Sequence, residues 1–196
     1  VDSACLERYK MLIFRDKYAH IFLGNPSISH IMSKLFWEKM GKDLDNCELH
    51  GFTRLIISCN IEHEQDHKTL ANADVYNEEL VGQVISQITT FPGTTVFAGG
   101  GEILGRLFEI ALACQFRIGA ECTEFGFGTT LGNSYDPLDH SLAVIRNLIG
   151  DPQSIQTILL GTPLKARSAF ACGLISEVVA FDRLESSADL LAQRVS

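Results

Sequence analysis

The stretch Gly99 to Gly119 constrains the fold more than any other. Thr94-Thr95-Val96-Phe97 is β-branched and aromatic and predicts a strand, which Gly99-Gly100-Gly101 then breaks. From Leu104 the apolar residues Leu104, Leu107, Phe108, Ala111 and Leu112 recur at helical spacing, and a second strand follows. Gly105 stands where that helix begins. A helix start beside glycine offers backbone N–H groups and the positive end of the helix dipole. Such a place stabilises an anion or a developing oxyanion. Glu109 is the acid one turn in. The same residues also describe a plain strand–helix turn carrying a solvated glutamate.

The flanking segments extend this strand–helix alternation. Tyr9–Phe14 and His20–Leu23 read as short strands joined by a hairpin turn at Arg15–Tyr18. Ser27 or Ser29 caps a helix with Ile31, Leu35, Phe36, Met40 and Leu44 on one face and Trp37 in the core. Arg54–Ser58 is a continuous apolar run, as in a parallel strand buried on both faces. After a polar segment, Asp74 caps a helix with Val75, Leu80, Val84, Ile85 and Ile88 inward. Downstream come a strand at Glu124–Phe127, a loop at Asn133–Pro137 and helices near 140–149, 152–160 and 165–171. A strand at Ile175–Ala180 and an amphipathic helix from Asp182 complete the chain. The class is α/β, a β-α-β sheet with helices packed on it, in one domain spanning 1–196.

Composition narrows the partners. With 46% hydrophobic and 20% charged residues, the chain can bury a core. A net charge of −8 and no basic patch argue against nucleic acid. No apolar run reaches the length of a membrane span and no signal-like start is present. Six scattered cysteines without C-x-x-C spacing suit reduced thiols in a cytoplasmic setting.

The order and spacing of the elements resemble the crotonase (enoyl-CoA hydratase/isomerase) superfamily. The resemblance rests on Gly101–Gly119, Glu124-Phe125-Gly126, Leu131-Gly132, Ile149-Gly150, Ile158–Ala166 and Ala169–Ile175. It implies a spiral of β-β-α units with a truncated C-terminal helical region. It also implies an acyl thioester carried on coenzyme A or phosphopantetheine, with no other cofactor. Thioester-enolate stabilisation by two backbone N–H groups is the step it implies. One implied donor is the N–H of Arg106, beside Gly105, at a place where the family has glycine; the other falls near Cys59-Asn60. Glu109 takes the first acid position of the family, while Thr129 stands at the second. Ser134-Tyr135-Asp136 resembles the Ser-Phe-Asp of naphthoate synthase in the same superfamily. By that resemblance Asp136 is a base or proton carrier, with Tyr135 or His140 as a donor. Asp136-Pro137 also fits a simple turn.

Two functional classes follow. One is a lyase, hydratase, isomerase or decarboxylase of a biosynthetic pathway. The other is a catalytically degenerate crotonase-like accessory subunit of another enzyme; the partners expected are the acyl thioester and a carrier protein or partner enzyme, in a homo- or hetero-oligomer. His63-Glu64-Gln65-Asp66-His67 matches the H-E-x-x-H zinc signature, with Glu78 or Glu79 as a third ligand. Its polar flanks favour a solvated charge cluster, and no metal is expected.

Overall fold

Successive strand–helix units build the central sheet. The structure is a computed structural model that describes residues 12–15, 18–24, 33–60, 77–128, 137–152, 154 and 161–195. Strands β1 (Leu12–Phe14) and β2 (Ala19–Phe22) form an antiparallel hairpin, closed by the Arg15 N–H on the Tyr18 carbonyl at 3.0 Å. Helix α1 (Lys34–Leu49) leads to β3 (Arg54–Asn60), and α2 (Glu78–Thr89) leads to β4 (Thr94–Gly100). After a short β5 (Glu102–Leu104), helix α3 (Arg106–Ala113) returns the chain to β6 (Phe116–Ala120). Then follow β7 (Glu124–Gly126), α4 (Asp139–Ile149), β8 (Leu164–Lys165), α5 (Ala166–Ala171) and β9 (Glu177–Val179). A 3-10 turn at Phe181–Arg183 leads into α6 (Leu184–Arg194).

The main sheet runs β1-β2-β3-β4-β6-β9, parallel from β2 onward. A second sheet, β5-β7-β8, stands beside it. Side chains alternate across each strand, which separates two cores. Leu55, Ile57 and Cys59 of β3 pack with α1, α2 and α3. Ile56, Val96, Ala98 and Ile118 face the Leu184-Ala188-Ala192 stripe of α6. Helices on both faces are the physical reason that Arg54–Ser58 reads as unbroken apolar sequence.

Several local expectations shift. Ser33 caps α1 by accepting the Phe36 N–H, while Ser27 and Ser29 lie outside the described residues. Leu35 is 44% exposed rather than inward, whereas Trp37 is buried. Asn77 caps α2 through the Leu80 N–H; Asp74 and Val75 lie outside the described residues. Leu104 belongs to β5, not to the helix, and β4 continues through Gly99 and Gly100, so the strand breaks at Gly101 rather than at the start of the glycine run. Gly99 allows β5 to fold closely back: a Cβ there would meet the Phe97 ring at 2.8 Å and Ile103 at 2.9 Å.

Candidate functional site

The site expected at the α3 start is built from glycine geometry. Gly105 precedes α3 with φ 58° and ψ −126°, a conformation that side-chain-bearing residues rarely adopt. Its N–H donates to the Gly126 carbonyl at 3.0 Å, which ties the turn to β7. Its carbonyl accepts the Glu109 N–H at 3.1 Å and opens the helix. Every residue of α3 is buried.

Burial then decides what Glu109 does. A carboxylate with no exposed surface needs partners for its charge. One oxygen pairs with the Arg106 guanidinium, one turn back on the same helix face. The other accepts the backbone N–H of Leu138 at 2.7 Å. Leu138 is the residue before α4 and its side chain offers no cap, so Glu109 caps that helix from outside. The solvated-glutamate expectation is therefore corrected: Glu109 fastens α3 to the start of α4. Arg106 is itself 4% exposed, so the pair is sealed from water at both ends.

The second expected donor position lies at the end of β3. The Asn60 N–H donates to the Gly24 carbonyl at 2.9 Å, so that amide is paired within the fold. Cys59 stands opposite Gly99 in the β3–β4 ladder with its side chain in the core. Burial pushes its thiol well above the ordinary range. Tyr135, Asp136 and Thr129 lie outside the described residues, as do His63, Glu64 and His67. His140 is exposed, with Nε2 3.2 Å from the Thr89 hydroxyl. Glu78 and Glu79 are exposed at the start of α2. Among the described residues no three His, Cys, Asp or Glu side chains gather as for a metal ion.

Sequence reading overlooked two cations as structural elements. The Arg106 side chain became visible only once Glu109 was buried, although their spacing of three on a helix was the available signal. Arg117 is 5% exposed and donates to the carbonyls of Leu174, at 2.6 Å, and of Cys114. It thus caps the carbonyl end of α3, where the dipole favours a cation. Burial lowers its pKa below the usual arginine value. A single apolar helix is held by an arginine at each end.

No family model matches the chain. It is 27% identical over 171 residues to a protein of Bacillus subtilis named "Probable enoyl-CoA hydratase", covering 81% of this chain and 64% of that one. It is 28% identical over 176 residues to "Probable enoyl-CoA hydratase, mitochondrial" of Dictyostelium discoideum, covering 89% and 61%. The chain thus spans under two thirds of the length of these two relatives. A solved enoyl-CoA hydratase/carnithine racemase from Magnetospirillum magneticum superposes with a TM-score of 0.77 at 19% identity, over 94% of this chain and 73% of that one. Among the described residues no helix is long and apolar enough to cross a membrane.

Proposed function

From the chain's membership of the crotonase superfamily, we propose that it is an acyl-thioester-binding protein that has given up the acid–base work of Glu109, a catalytically degenerate crotonase-like subunit serving a partner enzyme. The carrying observation is that both oxygens of Glu109 are held inside the fold, by Arg106 and by the Leu138 N–H. A general acid or base must exchange its proton with the substrate at hydrogen-bond distance. Glu109 can do so only after leaving a sealed ion pair. Breaking such a pair costs about 3–5 kcal/mol, roughly a 10²–10⁴-fold rate penalty before any chemistry begins. The proposal keeps the thioester as ligand, on coenzyme A or on a carrier protein's pantetheine arm, and assigns the chemistry to a partner.

Titration calorimetry with butyryl-CoA, a thioester with no double bond to hydrate, tests the binding half against coenzyme A alone. Saturable binding that depends on the acyl chain is expected. Absence of binding to butyryl-CoA would remove the thioester from the account.

A further inference from the structure

The second face of the main sheet carries a polar cluster that the thioester proposal does not use. His20 of β2 and Ser58 of β3 point to the face covered by α6, by alternation from Tyr18 and Ile56. Both are buried, at 6% and 2% exposure. His20 Nε2 lies 2.7 Å from Ser58 Oγ, so one hydrogen bond joins neighbouring strands beneath the helix. Two residues before His20, the Tyr18 hydroxyl donates to Asp189 of α6 at 2.6 Å. Glu185 and Asp189 lie one turn apart on α6, beside its apolar stripe of Leu184, Ala188 and Ala192. That stripe is light, since two of its three buried residues are alanine and Leu191 beside them is only partly buried, so the Tyr18–Asp189 hydrogen bond matters more to its docking.

We propose that α6 is an acid-releasable cover on this face, held by the Tyr18–Asp189 hydrogen bond, with buried His20 beside it as the proton-sensitive group. The groups acting on His20 are Glu185 and Asp189 of α6, whose charges favour its protonation, and Arg15 of the β1–β2 turn, whose charge opposes it. Burial outweighs the carboxylates and draws the imidazole below its ordinary value of 6.5. The open state, with His20 in water, therefore binds a proton more readily than the closed one. Cover stability is complete above about pH 6.5 and falls as the pH drops toward the closed-state value. Each tenfold gap in proton affinity between the two states gives up to about a tenfold rise in opening. Opening would bare Ile56, Val96, Ala98 and Ile118.

Hydrogen exchange of the α6 amides, normalised to those of β4 and to intrinsic rates, reads this directly between pH 7.5 and 5. Wild type is expected to lose α6 protection on acidification, while His20→Asn, which keeps a hydrogen-bonding side chain but cannot titrate here, stays flat. Equal pH dependence in the two proteins, or none in wild type, overturns the proposal. Should His20→Asn fail to fold, the His20 ring titration in wild type decides by NMR. A midpoint below 6.5 that coincides with the loss of α6 protection supports the proposal; a midpoint at or above 6.5, or one separate from that loss, overturns it.

Discussion

Removing Arg106 tests whether Glu109 is a structural carboxylate. Arg106→Met keeps an unbranched stem of similar bulk and deletes the guanidinium. Glu109, without exposed surface, is then left with the Leu138 N–H as its identified partner. An uncompensated buried charge costs about 3–5 kcal/mol. For a chain of 196 residues that lowers the melting temperature by about 6–20 °C, at 2–4 °C per kcal/mol. Glu109→Gln alone is also destabilising, because it strands the cation. The double variant Arg106→Met/Glu109→Gln carries neither charge and retains an amide oxygen for Leu138, so it is expected within about 2 kcal/mol of wild type. Urea denaturation followed by Trp37, the single tryptophan and a buried one, gives the cycle. Coupling of at least about 2 kcal/mol is expected. Singles that simply add in the double, within about 0.5 kcal/mol, would refute the sealed pair.

Three further outcomes follow from the same geometry. Gly105→Ala forces a Cβ into φ 58° and is expected to cost about 1–3 kcal/mol in the same urea assay. Arg117→Met strands the carbonyls of Leu174 and Cys114 and is expected to cost on the order of 3 kcal/mol, with α3 amides exchanging faster as the accompanying readout. Cys122 is exposed while Cys59 and Cys114 are buried, the Cys114 thiol being pushed up to about 12. A thiol reagent at pH 8 should therefore label Cys122 in the native protein and leave Cys59 and Cys114 unmodified until urea is added, as mass spectrometry of the digest can read.

Periodicity carried most of the fold. The run Leu55-Ile56-Ile57 could be read as a buried strand because its two faces meet two helical layers. The β-branched segment before the glycine run and the α3 stripe were legible for the same reason. Helix starts were less legible, because several polar residues precede each one; the starts described use Ser33 and Asn77. The site was less legible than the fold. Sequence places Glu109 on α3 but does not say whether that face meets water, a ligand or the protein. Its burial depends on Leu138, 29 residues away, and on an arginine where glycine was expected by resemblance. The pairing of the Asn60 amide was not legible because its acceptor, Gly24, lies before α1 in the chain.

The most direct test of the central claim compares wild type with Glu109→Gln in the hydration of crotonyl-CoA, followed by loss of its ultraviolet absorbance at saturating thioester. With Glu109 held by Arg106 and Leu138, both proteins are expected to leave the substrate at the uncatalysed rate. Turnover by wild type that falls about 10²-fold or more in Glu109→Gln would contradict the account and return Glu109 to acid–base catalysis.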